Sequence, residues 1–434
     1  MNNIKNQETI KPSSPTPLHL NRYNLSYMDY KSPNIHYSSV FLYKNYKKDD
    51  INRLKKSLSK CLTQYYPFAG RLPSASASQY IKCNDEGVVF LEACVDFPLQ
   101  DLVLNRDPDE TKIKKLVPNV GNESNRVLEV QVNHFSCGGV AVAVSLSHKV
   151  ADGLTMAYFV NHWATVTRGG SPINPTFVSA PVRDDTTTTT TNVHQDDQPV
   201  MKKVPSKFKC TAKRFVISNS KLANLKNKIN SMAAGMSPTP MNPSRVESLI
   251  SLLFKSAVNA AATTKKAGSF QPSNLSLTLN MREKVGVSTV PLRYAVGNIL
   301  NLAVARMDDS SEIELDKVIN RLRKDRMEID GAAVSRDVEE LGEMFFKKRT
   351  GLRQDQSRRT YSCTSLCNLP IYKVDFGWGK PVRVILPTDN WNDSSYFIMM
   401  DAASGDGIEA TVILKEEEMT LFQNDKEFLA FVQD

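Results

Sequence analysis

Ser145-Leu-Ser-His-Lys-Val-Ala-Asp-Gly153 stands between two segments of different periodicity. The run before it, Val140 to Leu146, alternates β-branched with small residues, which predicts a strand that is buried on at least one face. The run after it, Leu154 to Trp163, has apolar residues at helical spacing. We therefore predict a strand-to-helix unit of an α/β fold, with His148 at the junction, where active-site groups often lie.

His148 is the residue in this segment that can do chemistry. The unperturbed pKa of an imidazole is about 6.5, so a useful fraction is neutral and basic near pH 7. On an ordered loop, one ring nitrogen can face a substrate hydroxyl, which is the profile of a general base. The alternative is a structural histidine that caps a helix or fills a polar gap, and His-x-x-x-Asp-Gly alone leaves both interpretations open.

A second motif, Tyr372-Lys-Val-Asp-Phe-Gly-Trp-Gly-Lys-Pro381, would form a poor helix and an interrupted strand. Gly377 and Gly379 flank Trp378, and a proline ends the run. These residues predict a tightly turned loop whose glycines allow close approach of another backbone. The two motifs together are far more specific than either one alone.

In this order and at about this separation, the two motifs resemble the signatures of the BAHD family of plant acyl-CoA-dependent acyltransferases. Within that family, the chain is most similar to the branch that acylates alkaloids, capsaicinoids and acylsugars. Smaller matches lie along almost the whole chain: Pro12-Ser-Ser-Pro-Thr-Pro17, Leu25-Ser26 with Asp29, Tyr66-Pro-Phe-Ala-Gly-Arg71, Cys83-Asn-Asp85, Phe135-Ser-Cys-Gly-Gly139, Ser244-Arg-Val-Glu247, Asn280-Met-Arg282 and Gly297-Asn298.

The resemblance implies a chloramphenicol acetyltransferase-like fold. This is an α/β fold of two similar domains, each with a mixed β-sheet flanked by helices, and a solvent channel between them into which His148 opens from both faces. We place the N-terminal acyltransferase domain, which carries His148, at residues 1–180, and the C-terminal domain, which carries the Asp375–Lys380 signature, at 213–434. Residues 181–212 are predicted to be a crossover linker, because prolines and a run of six threonines replace the apolar periodicity.

Local patterns predict several helices along the chain. Apolar residues at helical spacing mark 50–63, and Ser244 followed three residues later by Glu247 is a capping box at the start of a helix that reaches about Ala262. Residues 416–431 are predicted to form one C-terminal helix.

Composition excludes several classes of function. A hydrophobic content of 41% and a charged content of 23% are those of a soluble globular protein, and no apolar run reaches the length of a membrane helix, so we expect a cytoplasmic location. The net charge of +9 is scattered without a nucleic-acid-binding motif, and it suits a small polyanion such as coenzyme A. No heptad repeat demands assembly, so a monomer is expected.

The seven cysteines are expected to be free thiols, because their number is odd and no secretory signal is visible. Cys363 and Cys367 have no second pair or nearby histidine to complete a zinc site, so no metal is predicted. We also expect no permanently bound cofactor. Acyl-CoA would be a co-substrate.

The resemblance implies that His148 takes the acceptor's proton, promotes direct attack on the thioester and then protonates the leaving thiolate. No acyl-serine motif is present, so both substrates would be bound together in a ternary complex. The spacing to Asp152 alone does not exclude a triad-like role for this carboxylate. The resemblance instead implies a structural ion pair between Asp152 and Arg282 that fixes the loop around Gly153.

Other candidate site residues come from the second half of the chain. In the signature loop, Trp378 offers an indole N–H for the oxyanion of the tetrahedral intermediate, or else packs in the core, and Asp375 is expected to be a structural partner of an arginine. Ser244 and Arg245, at a predicted helix N-terminus, would suit a phosphate of CoA, although a plain N-cap explains Ser244 equally well. Where several family members have Ser-Ser-Trp-Cys, this chain has Thr364-Ser-Leu-Cys367, so an aromatic wall of the acceptor pocket is expected to be missing.

The predicted function is transfer of an acyl group, with acetyl as the first choice, from acyl-CoA to a hydroxyl of a plant specialised metabolite, with an alkaloid as the first choice. An acylsugar or a phenolic or amine acceptor is the alternative. A non-catalytic small-molecule binding protein with the same fold is the alternative from another class, and the intact His148 weighs against it.

Overall fold

The computed structural model describes residues 3–46, 50–74, 78–121, 124–178, 180–182, 209–234, 240–264, 270–388 and 395–432. Most of the predicted linker, including the run of threonines, therefore lies outside the described residues. The limits 1–180, 181–212 and 213–434 stay predictions for that reason.

The first sheet has six strands and is mixed. In spatial order they are β1 (Asn3–Ile10), β5 (Val88–Val95), β6 (Leu128–Phe135), β7 (Val140–Ser147), β3 (His36–Tyr43) and β14 (Arg383–Ile385). Only β5 and β6 pair in parallel. All eight residues of β7 are buried, because both faces of this central strand are covered. The predicted strand before His148 is therefore confirmed.

The second sheet also has six strands and is mixed. In spatial order they are β12 (Leu300–Met307), β10 (Ser273–Asn280), β13 (Arg359–Ser365), β15 (Ser395–Asp401), β16 (Ile408–Lys415) and β9 (Cys210–Ile217). The three neighbours β10, β13 and β15 run parallel, and the outer pairs are antiparallel. Strand β9 begins inside the segment that sequence assigns to the linker.

Two short strand pairs complete the sheet structure. They are β2 (Arg22–Asn24) with β4 (Tyr80–Lys82), and β8 (Thr176–Phe177) with β11 (Ala295–Val296). The β8–β11 pair joins the two halves of the chain, and so does β14, which lies in the second half but pairs with β3 of the first sheet. Strand pairing among the described residues thus joins the two halves at two places.

The described helices flank both sheets. They are α1 (Tyr27–Lys31), α2 (Asp50–Gln64), α3 (Gln100–Val103), α4 (Glu110–Lys114), α5 (Gly153–Thr167), α6 (Asn219–Ala233), α7 (Arg245–Thr263), α8 (Leu315–Ala333), α9 (Val338–Gln354), α10 (Glu416–Phe422) and α11 (Lys426–Leu429). None of them combines the length and apolar character that a membrane-spanning helix needs.

The predicted helix patterns are confirmed for α2 and α7 and only in part for the C-terminus. Leu54, Leu58 and Leu62 form the buried stripe of α2, and the Ser244–Glu247 capping box begins α7. The single C-terminal helix was wrong, because Asp425 accepts from the backbone N–H of Phe428 and starts α11 as a separate helix. The α/β architecture of mixed sheets flanked by helices is as predicted.

Candidate active site

A cavity of about 1840 Å³ lies between the two sheets. Its wall includes Tyr37 and His148 from the first half of the chain and Thr278 and Tyr396 from the second sheet. Arg349 of α9 completes this part of the wall. A concave space with a few polar groups converging on it is the usual form of a small-molecule site, and this cavity is larger than the ~300 to 1,000 Å³ that is typical of one ligand.

His148 follows β7 directly and is held through its backbone on both sides. Its N–H donates to the carbonyl oxygen of Ile35 at 2.8 Å, and its own carbonyl oxygen accepts from Nδ2 of Asn298 at 2.7 Å. The ring tilts against Tyr37, with 5.1 Å between the ring centroids. These contacts fix the imidazole at the cavity wall, where it stays partly exposed.

The environment of His148 favours the neutral ring. Desolvation by burial lowers the pKa of His148 below its usual value, and the positive charge of Arg349 lowers it further. The carboxylate of Asp152 acts in the opposite direction but is outweighed. Nδ1 is buried and has no hydrogen-bond partner among the described residues, so the exposed part of the ring lies elsewhere. A neutral imidazole at pH 7 can accept a proton from a hydroxyl in the cavity.

Asp152 forms the N-cap of α5 and a bidentate ion pair with Arg282. Its side chain accepts from the backbone N–H of Thr155 at 2.9 Å, while the two guanidinium nitrogens lie 2.7 and 3.1 Å from its oxygens. Both side chains are almost fully buried. The remaining donors of Arg282 bond to the carbonyl oxygens of Ala295 and Gly297. This geometry favours the structural role of Asp152, which stays a prediction.

Gly153 brings the opposite wall of the cavity close to this loop. A Cβ at this position would lie 2.7 Å from Cδ2 of Leu366, which lines the cavity. The absence of a side chain on Gly153 therefore lets the second half of the chain pack over the start of α5. Leu366 occupies the position at which several family members have a tryptophan.

A second buried link to His148 was not predicted from the sequence. One oxygen of the Asp29 carboxyl accepts from both the backbone N–H and Nδ2 of Asn298, each at 2.7 Å. Burial raises the pKa of Asp29 to about 7, although the bonds from Asn298 act against that rise. Asn298 then bonds to the carbonyl oxygen of His148. The sequence pointed to these residues only because Asp29 and Gly297-Asn298 match the family's pattern.

The Asp375–Lys380 loop belongs to the second half of the chain, but its Phe376 and Trp378 pack among buried residues of the first half. Oδ1 of Asp375 accepts from the N–H groups of Gly377 and Gly379 at 2.7 and 2.9 Å, and both glycines have positive φ angles, of 102° and 86°. No arginine among the described residues pairs with Asp375. In the structure, two backbone donors bond to Asp375 where an arginine was expected.

Trp378 lies in the core of the first half and not on the cavity wall. Its indole N–H donates to Oδ2 of Asp50 at 2.6 Å, and its ring packs edge-on against Tyr43 and Tyr46. This geometry argues against a role as oxyanion donor, because the N–H is already bonded to a carboxylate. It agrees with the alternative of core packing.

Ser244 and Arg245 also lie off the wall of the cavity. The hydroxyl of Ser244 accepts from the N–H of Glu247 at 3.1 Å, which is the capping box. Arg245 donates to Asn219 and Asn368 and lies 3.4 Å from the carboxylate of Asp401. Each polar group thus has a protein partner, and the binding of a CoA phosphate here stays a prediction.

All seven cysteines lie in the described part of the chain, and no disulfide bond joins any of them there. Cys363 and Cys367 are buried, and burial raises the pKa of Cys367 to about 11. Across the described ranges, no group of three or more His, Cys, Asp and Glu side chains is arranged to hold a metal ion.

Comparison with known proteins follows this geometry. The sequence model of the Transferase family matches residues 2–429. The chain is 33% identical to a 17,18-epoxy-17-hydroxycur-19-ene N-malonyltransferase from Strychnos nux-vomica, over 99% of this chain and 90% of that protein. It is 34% identical to deacetylvindoline O-acetyltransferase from Catharanthus roseus, over 98% of this chain and 96% of that protein.

Two solved structures share the fold. The crystal structure of vinorine synthase superimposes with a TM-score of 0.77 at 28% identity and covers 99% of this chain and 98% of that one. TRI101 of F. sporotrichioides, complexed with coenzyme A and T-2, superimposes with a TM-score of 0.70 at 17% identity and covers 95% of this chain and 99% of that one. The second likeness shows the fold alone. The family match and the relatives over the full length show that this chain is a member of the BAHD transferase family, the acyltransferases.

Proposed function

We propose that this acyltransferase moves an acyl group from acyl-CoA to a hydroxyl of a plant specialised metabolite. This proposal rests mainly on His148. Its environment favours the neutral ring, and it lines a cavity large enough for two substrates. Relatives named as an O-acetyltransferase and an N-malonyltransferase, together with membership of the acyltransferase family, support an acyl-CoA donor.

The proposed reaction is a direct transfer in a ternary complex. The neutral imidazole of His148 takes the proton of the acceptor hydroxyl as the oxygen attacks the thioester carbonyl carbon. The tetrahedral intermediate then collapses, the carbon–sulfur bond breaks, and the imidazolium returns the proton to the leaving thiolate. The Asp152–Arg282 pair and the Asp29–Asn298 link would act by holding the His148 loop in place.

The finer choices are acetyl as the acyl group and an alkaloid as the acceptor. Several named relatives support both: deacetylvindoline O-acetyltransferase supports acetyl, and the Strychnos, Catharanthus and Alstonia relatives support alkaloid-type acceptors. The acylsugar alternative is supported by the 28% identity to acylsugar acyltransferase 3 from Solanum lycopersicum. An amine acceptor is supported by the N-malonyltransferase. The proposal keeps a cytoplasmic location and a monomeric state. Size-exclusion chromatography would test the monomeric state.

The test is a screen that pairs acetyl-CoA and malonyl-CoA with hydroxylated alkaloids, sugars and phenolic amines. Thiol release and product mass are followed for the wild type and for His148→Ala. We expect thiol release that depends on the acceptor in the wild type alone. Binding of ligands without any thiol release in the wild type would instead favour a non-catalytic binding protein.

A further inference from the structure

Arg349 is a charged group on the cavity wall that the proposed reaction does not use. It lies on α9, and its side chain is partly buried where it lines the cavity. Among the described residues, its guanidinium makes no ion pair or hydrogen bond. A desolvated cation without an anionic partner is costly in a folded protein, so its position needs an explanation.

The contacts that Arg349 does make leave its hydrogen-bond donors available. The guanidinium carbon lies 6.0 Å from the ring centroid of Phe345 and 5.9 Å from that of Phe346. Such cation–π contacts orient the planar group without using its five N–H donors. The fork of donors is thus supported in one orientation beside the cavity, which is the arrangement that binds a carboxylate through two bonds.

The surroundings add to the attraction for an anion. Burial lowers the pKa of Arg349, and the positive charge of Arg353, one turn further along α9, lowers it again. Arg353 lines the same cavity and is exposed. Tyr396 lines the same cavity and interacts electrostatically with Arg349. A bound anion would offset the cost of burying the Arg349 cation and would reduce its repulsion with Arg353.

The location restricts where such an anion belongs on the substrates. Arg349 and His148 line the same cavity, and the charge of Arg349 acts on the pKa of His148. The phosphates of CoA are separated from the thioester by the pantetheine arm. An anion beside Arg349 is therefore expected near the reacting atoms, on the acyl group or on the acceptor.

We propose that Arg349 binds a carboxylate of one of the two substrates, either the free carboxylate of a dicarboxylic acyl thioester or an acid group of the acceptor. This inference deepens the proposed function, on which it rests. A guanidinium held beside the reacting centre would select charged substrates over neutral ones of the same size.

The first arm of the experiment tests the donor by calorimetric titration. Malonyl-CoA and the neutral butyryl-CoA, which has a similar acyl length, are bound to the wild type, Arg349→Gln and Lys347→Gln. Lys347 is an exposed residue of α9 that lies off the cavity wall. Its replacement by glutamine changes the net charge as much as Arg349→Gln does, but leaves the cavity wall intact. If the donor supplies the carboxylate, Arg349→Gln lowers the affinity for malonyl-CoA by about tenfold relative to Lys347→Gln. The affinity for butyryl-CoA should stay unchanged.

The second arm tests the acceptor with a hydroxylated alkaloid acid and its methyl ester. If the acceptor supplies the carboxylate, Arg349→Gln weakens only the acid, again by about tenfold. Arg349→Lys keeps the charge without the planar fork, so it should lose less affinity, and it carries the test if the glutamine variant does not fold. Equal affinities of the Arg349 variants and Lys347→Gln for both pairs of ligands would overturn the inference. Because binding is measured, a wild type that transfers nothing refutes the proposed function separately.

Discussion

The His148 segment and the Asp375–Lys380 loop are both signatures in the sequence, yet they lie in different environments. The first ends at the wall of the cavity, and its central imidazole keeps an exposed part. The second closes on itself through Asp375 and buries Trp378 among tyrosines of the first half. One family motif thus reaches the cavity, where we propose that it acts in catalysis, while the other packs the second half of the chain against the first.

The largest difference between the two regions should appear in the rate. His148→Asn keeps the size of the side chain but removes the base, so we expect the rate of acyl transfer to fall by about 10²- to 10⁴-fold. The melting temperature should change little, because the ring is partly exposed and its backbone contacts remain. Parallel measurement of thiol release and thermal unfolding checks both. A variant that retained more than a tenth of the rate would show that His148 is not the base.

The next difference concerns stability around the His148 segment. Asp152→Asn leaves the cation of Arg282 buried without its carboxylate, which should lower the free energy of unfolding by about 3 to 5 kcal/mol. The matched control is Asp330→Asn, because Asp330 forms a partly exposed pair with Lys284 and its loss should cost under about 1 kcal/mol. Denaturant unfolding of both variants gives the comparison. A stable Asp152→Asn enzyme with a strongly reduced rate would instead indicate the triad-like role.

Much of the local structure around the two motifs could be predicted from sequence. Strand β7, helix α2 and the capping box of α7 depend on neighbours within a few residues, so periodicity and spacing were enough. Contacts between distant residues were not visible in this way. Trp378 finds its acceptor 328 residues away at Asp50, and Asn298 finds Asp29 269 residues away.

The candidate site was predictable to the same extent. His148 was found because a strand, a loop and a helix occur in succession. The guanidinium of Arg349 has no ion pair or hydrogen bond in the described part of the chain. Sequence could not predict this, because it depends on which distant side chains fold close to it. The short strand β14 was also missed, since three residues carry too little pattern and their pairing with β3 is a tertiary contact.

A smaller effect is expected in the signature loop. Trp378→Phe removes the N–H that bonds to the carboxylate of Asp50 but keeps an aromatic ring in the core, so the free energy of unfolding should fall by about 1.5 to 3 kcal/mol. The rate should stay within about twofold of the wild type, whereas an oxyanion donor would lose about 10²- to 10³-fold. Trp163→Phe is the matched control, because its indole is also buried and bonded to protein acceptors. Rate and unfolding measurements on both variants separate the two interpretations.

The smallest effect lies in the pH dependence of the His148 segment. Burial lowers the pKa of His148, so the neutral base persists below pH 6.5 and kcat/KM should begin to fall only under that value. The sign for stability follows from the same shift: the unfolded chain binds the proton first, so the contribution of His148 to the free energy of unfolding falls as pH drops below about 6.5. Removal of the cation in Arg349→Gln should move the acid limb upward, while Lys347→Gln should leave it in place. An acid limb at or above pH 6.5 in the wild type would mean that the ring is better solvated than its position at the cavity wall indicates.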